Sequence, residues 1–108
     1  MNLNKLAAKI HNNAKKHGWW DEERSLPEVM MLVVTEVAEV VEEARNGHES
    51  REIYYVDTKP EGIPIEIADA MIRLLDYCAH ANIDIDDAMK TKMNYNKSRP
   101  YRHGGKKY

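Results

Sequence analysis

Apolar residues recur along the chain with helical spacing in four segments, separated by short polar breaks. Leu3, Leu6, Ala7, Ile10 and Ala14 predict a helix over 3–17, closed by Gly18. WWDEERSLP reads as a loop. Pro27 suits the first turn of a long second helix over 27–46, with Ser25 or a neighbour as its cap and Asn46-Gly47 as its stop. HESREIYYVDTKPEGIP has mixed character. Its IYYV is extended in flavour, but two prolines and a glycine favour a loop or crossover over a strand. Pro64 opens a third helix, IEIADAMIRLLDYCAHA, which Asn82 breaks. Asp84, with Asp87 three residues on, predicts the start of a fourth helix that runs to Arg99 before Pro100. Four helices without a convincing strand make the fold class all-α, and a bundle is the expected packing.

The second helix contains an anomaly. With about 100° per residue, Val29, Leu32, Val33 and Val40 lie within roughly 60° of Glu36. Glu36 therefore sits in the apolar stripe, with Glu39 at its edge and Glu43 close behind, while Glu42 points away. An ionised carboxylate does not enter a core without compensation by an arginine, a hydrogen-bond network or a metal. The third helix repeats the spacing. Glu66, Asp69, Arg73 and Tyr77 share one face, and Ile67, Met71, Leu74 and Cys78 share another. Two carboxylate pairs on consecutive helices converge if those helices pack antiparallel. Oxygen-only donors suit Mg²⁺, with Mn²⁺ as a substitute, and no histidine stands at the third step of either pair as a helical di-iron site would need. The competing arrangement is a buried ion-pair network in which Arg73 and Arg45 neutralise the acids.

Charge enters through its distribution. Sixteen Lys and Arg against eighteen Asp and Glu leave a net charge of −2, which by itself demands neither nucleic acid nor a membrane. Yet no acid follows Asp87, while Lys90, Lys92, Lys97, Arg99, Arg102, Lys106 and Lys107 do. Lys92, Asn96 and Arg99 fall on one helical face and suit phosphate oxygens, although a basic helix end is also favourable in its own right. One cysteine excludes an intrachain disulfide and suits a reducing compartment. No secretory apolar core or membrane-length run occurs. The expectation is a single cytoplasmic domain over residues 1–108, with a basic tail from about residue 100.

Glu36-Val37-Ala38-Glu39 followed by Glu66-Ile67-Ala68-Asp69 resembles the ExxE…ExxD signature of the MazG-like all-α nucleoside triphosphate pyrophosphohydrolases. KMNYNKSRP is similar to the lysine–asparagine–arginine segment that follows it in that superfamily. The resemblance covers about residues 8–101, and KPEGIPIEIADAMIRLLDY and NKSRPYRHGGKK resemble small phage and bacterial members. It implies a four-helix bundle completed by oligomerisation, as a homodimer or homotetramer. It also implies hydrolysis of a nucleoside triphosphate to the monophosphate and pyrophosphate. Glu36, Glu39, Glu66 and Asp69 would hold Mg²⁺, with Glu43 a further ligand or base. Lys92, Asn96 and Arg99 would grip the triphosphate. By position, Trp20 would stack on the base, and His11, Asn12 and Tyr77 would contact base or sugar. Core or dimer packing is the plain alternative for Trp19 and Trp20. His80 and His103 lack partners at ligand spacing. A second reading makes the chain a helical adaptor whose basic segment, Lys90 to Lys107, binds nucleic acid or another acidic partner, and a third an inactive relative that binds nucleotides without cleaving them.

Overall fold

The computed structural model describes residues 1–100, so the tail residues Tyr101 to Tyr108, including Arg102, His103, Lys106 and Lys107, lie outside the described residues. Four helices form where the apolar periodicity places them: α1 (Leu3–Lys16), α2 (Leu26–Arg45), α3 (Ile63–His80) and α4 (Ile85–Ser98). Their ends follow local chemistry. The Ser25 hydroxyl accepts from the Glu28 backbone N–H at 3.3 Å, and Pro27 occupies the first turn of α2. The Asp84 carboxylate accepts from the Asp87 N–H at 3.1 Å at the start of α4. Positive φ at Gly18, Gly47 and Asn82 ends the first three helices.

One element departs from expectation. Tyr54–Val56 (β1) and Lys59–Glu61 (β2) pair antiparallel, with Tyr54 opposite Glu61 and Val56 opposite Lys59. The reading of this stretch as strandless gave Pro60 too much weight. In a two-stranded ribbon both strands are edges, and an edge tolerates proline. Asp57 takes the left-handed conformation that the tight turn needs, at φ 58°. The chain is thus mostly helical with one small hairpin.

The central helix is α3, which packs on α1 along one side and α2 along another; α4 meets α1. The α1–α4 join is a reciprocal cap. Asp86 Oδ1 accepts from the Leu3 N–H at 2.8 Å, and Asn4 Oδ1 accepts from the N–H groups of Ile85 and Asp86. Beyond that join α4 buries no residue. The radius of gyration is 16.6 Å, against about 13 Å for a compact domain of this length.

The core is small: Ala7, Val29, Val33, Ile63, Ala70 and Leu75. With them are buried two acids, Glu66 and Asp76. The outer faces are apolar. Met31, Val34, Val37 and Val41 form an exposed stripe on α2, and Ile67, Met71 and Leu74 form another on α3. These two helices therefore carry apolar side chains on both their packed and their outward faces, with Glu36, Glu43, Glu66 and Asp69 set among the packed ones.

Gly62 joins the hairpin to α3 at φ 123°, and a Cβ there would stand 2.4 Å from the Glu52 carbonyl oxygen. This position accepts glycine alone.

Candidate metal centre

The α2–α3 interface carries the acids. Val29, Val33, Glu36, Val40 and Glu43 run down the side of α2 that faces α3 at steps of three and four, so the aliphatic half of the stripe packs the helices and its second half brings carboxylates. On α3, Glu66 and Asp69 lie one turn apart. The result is a group of three, Glu36, Glu66 and Asp69, whose carboxylate oxygens lie within 4.8 Å of one another. Glu66 is 8% exposed and has no hydrogen-bond or ion-pair partner among the described residues.

Electrostatics report the crowding. Burial, then the charges of Asp69, Glu39, Glu36 and Glu61, push the Glu66 carboxyl above its ordinary value. Burial and the Glu36 charge raise Asp69, with Arg73 and Lys59 opposing. Among the described residues Arg73 is the one guanidinium bonded to the triad. Its Nε donates to Glu36 Oε1 at 3.0 Å. The ion-pair alternative is therefore realised for one acid of three, since Arg45 reaches only Glu42, at 3.9 Å on an exposed surface. Hard oxygen donors with surplus negative charge and an unpartnered member fit a divalent cation.

Glu39 stands outside this triad. It is exposed, and its charge reaches Glu66 without its oxygens joining the group. Glu43 turns inward instead. Tyr54 donates its hydroxyl to both Glu43 oxygens at 3.0 and 2.9 Å, and this bond pushes the phenol up to about 12. Glu43 belongs to a second triad with Glu61 and Glu66, again within 4.8 Å. Glu61 escaped the sequence reading because its position depends on the hairpin register.

A cavity of about 750 Å³ opens beside the first triad, within the range of small-molecule sites. Glu36, Asp69, Arg73 and Asp76 line its acidic side; Ile10, Trp19 and Arg24 line another. Arg24 and Arg73 lie 3.7 and 4.5 Å from the Trp19 ring centroid, within cation–π distance.

The residues expected at a base pocket divide. Asp76, unnoticed in the sequence though it lies two turns beyond Asp69, binds the His11 Nδ1 at 2.7 Å. It also accepts from the Trp20 indole N–H at 3.1 Å. His80 stacks on Trp20 at 3.8 Å, with His11 and Tyr77 edge-on or tilted around the pair. His11, Trp20 and Tyr77 are thus brought together, but Trp19 rather than Trp20 lines the cavity. Asn12 is exposed and makes no side-chain hydrogen bond among the described residues. On α4, Lys92 and Asn96 are exposed, and Lys92 and Arg99 both lie over Tyr95. No hydrogen bond or ion pair among the described residues joins them to the acids.

Compared with known protein families, with curated proteins and with solved structures, the chain matches none. No helix among the described residues is long and apolar enough to cross a membrane.

Proposed function

We propose that the chain is a Mg²⁺-dependent nucleoside triphosphate pyrophosphohydrolase, as the resemblance of its acidic motifs to the MazG-like superfamily implies. The observation that carries this reading is the convergence of Glu36, Glu66 and Asp69 around an unpartnered, buried Glu66, beside a cavity large enough for a nucleotide.

The three acids would hold the cation, with Glu39 close enough to add charge. The bound cation supplies charge neutralisation on the phosphate chain and Lewis acidity toward the attacking water. Arg73 fixes the orientation of Glu36 and offers its remaining N–H groups to phosphate oxygen. Trp19 and the guanidiniums over it form a wall suited to a planar, anionic ligand. Asp76 locks His11 and Trp20 behind that wall, a positioning role that differs from direct base contact.

The outward aliphatic stripes of α2 and α3 support assembly into a dimer or a dimer of dimers. A face of this kind is normally covered in solution. In such an assembly Lys92, Asn96 and Arg99, remote from the acids of their own chain, would serve the acids of a neighbour.

The test is a pyrophosphate-release screen against canonical, deoxy and modified nucleoside triphosphates, with Mg²⁺ and with EDTA. Cation-dependent release of pyrophosphate and monophosphate is expected. The absence of turnover on the whole panel would remove the enzyme reading. A second reading, a polyanion-binding adaptor, draws on the exposure of α4 beyond its first turn and on its basic face. It predicts salt-sensitive binding that ignores Mg²⁺.

A further inference from the structure

We infer that α1 carries a phosphate grip: Lys9, Asn13 and His17 hold the phosphate chain of a ligand whose cation sits on Glu36, Glu66 and Asp69. This deepens the proposed reaction and rests on the reading of that triad as a cation site. The chain then binds a metal polyphosphate with its own residues, and the basic row of α4 is not the grip.

The geometry comes first. Lys9, Asn13 and His17 recur at steps of four, so they share one face and advance about 6 Å per step. All three line the cavity of about 750 Å³ that Glu36, Asp69 and Arg73 also line. The chain passes α3 in the opposite direction to α3 itself, since His11 meets Asp76 and Trp19, just past the end of α1, meets Arg73. The His17 end of the row therefore lies toward Asp69 and Arg73, and Lys9 extends the row away from the acids. A polyphosphate anchored through a cation at the triad would run along it. Lys92, Asn96 and Arg99 offer similar donors on α4 but line no part of this cavity.

The donors are also available. Lys9 is exposed and pairs with no carboxylate among the described residues. His17 Nδ1 lies 2.8 Å from the Asn13 carbonyl oxygen. A carbonyl only accepts, so the proton stands on Nδ1 and Nε2 is left for a ligand, as a donor when the ring is charged. On the facing wall Arg73 keeps N–H groups beyond the Nε that it gives to Glu36. Asp76 competes for none of these donors, because His11 and Trp20 already bind its oxygens. With a cation on the triad, the cavity presents a donor row on one side and a guanidinium on the other. Such a setting favours a chain of phosphates over a neutral ligand.

The experiment is titration calorimetry of inorganic triphosphate into the full chain at a fixed excess of Mg²⁺. Lys9→Met should weaken binding about tenfold, the loss of one charge-assisted hydrogen bond, and Asn13→Ala about fivefold. Lys9→Arg should restore most of the loss, because the position needs a cation. Lys92→Met combined with Arg99→Gln should bind as the native chain does. Lys9 and Asn13 are exposed, so an unchanged Tm separates lost binding from a lost fold. Native affinity in both α1 variants, a loss confined to the α4 double variant, or no binding by the native chain would overturn the proposal. Failure of the functional reading shows elsewhere. Triphosphate binding that falls with Lys9→Met, in a chain that turns over no nucleotide, would keep the grip and remove the reaction. Pyrophosphate release that Lys9→Met and Asn13→Ala leave intact would do the opposite.

Discussion

Arg73 on α3 donates through Nε to Glu36 on α2 at 3.0 Å, with both side chains largely withdrawn from solvent. This pair joins the two helices and also neutralises one acid of the first triad. A guanidinium on that carboxylate competes with any cation for its oxygens. Arg73→Gln should therefore tighten Mn²⁺ binding, by about fivefold if the pair contributes roughly 1 kcal/mol. The same change should weaken nucleotide binding, because it removes a phosphate donor from the cavity wall. Titration calorimetry reads both, and unchanged Mn²⁺ affinity would show that Arg73 is no competitor for the acid.

The acids should separate by position. Glu36→Gln, Glu66→Gln and Asp69→Asn should each lower kcat/KM by about 100- to 1000-fold, the usual loss when a group that stabilises transition-state charge is removed. Glu39→Gln should cost about tenfold, because Glu39 is exposed and acts on the triad through its charge alone. Equal losses at Glu36 and Glu39 in steady-state kinetics would contradict this ranking.

Stability should fall with rising pH in the absence of divalent cations. Glu66 and Asp69 both titrate above their ordinary values of 4.5 and 3.8. The folded chain therefore holds protons that the unfolded chain has released, and folding loses free energy as pH rises from those ordinary values through the raised ones. Glu66→Gln removes much of that penalty. In EDTA its Tm relative to the native chain should climb as pH is raised from 4 toward neutrality. A Tm difference independent of pH would mean that the crowding of the acids is relieved in solution.

Much of this molecule is local and was legible as such. The Ser25 and Asp84 caps and the breaks at Gly18, Asn46-Gly47 and Asn82 are one-turn phenomena, and the helix ends lie within a residue or so of where they were read. The meeting of Glu36 with Glu66 and Asp69 was suggested by the repeated i, i+3 carboxylate spacing on consecutive helices, with Glu36 set in an apolar stripe where an acid is costly. Glu39, expected in the same group, stands outside the three gathered acids. It lies about 60° around α2 from Glu36, whereas Glu43 lies about 20° away, so the inward direction passes through Glu43. Glu61 and the hairpin were illegible, because pairing between Tyr54 and Glu61 is set by a turn at Asp57 that carries no glycine. Asp76 was hidden for another reason: its partners His11 and Trp20 come from the far end of the chain.

Asp76 should be a stability residue first. It is 6% exposed and satisfies both the His11 ring and the Trp20 indole. Asp76→Ala leaves two donors without an acceptor and should cost about 3 kcal/mol in urea unfolding. Asp76→Asn keeps an acceptor and should cost less. Tryptophan emission should respond in both variants, through Trp20 and the His80 stacked on it. Native stability in Asp76→Ala would show the cluster to be replaceable by water.

Gly62 has a consequence for how the chain ages in the presence of proteases. The hairpin and α3 meet at a residue that lies against the Glu52 carbonyl, with Glu61 immediately before it and Glu66 one turn after it. One acid of the constellation, Glu61, is thus mounted on the crossover and the other four on α2 and α3, and the crossover meets α3 through a single close-packed joint. Any transient detachment of the crossover would withdraw Glu61 from the constellation while leaving the helices, and the triad they carry, folded. Conversely, a ligand bridging Glu61 and Glu66 would pin the crossover down, so that cleavage after Arg51 or Lys59 would become a gauge of occupancy.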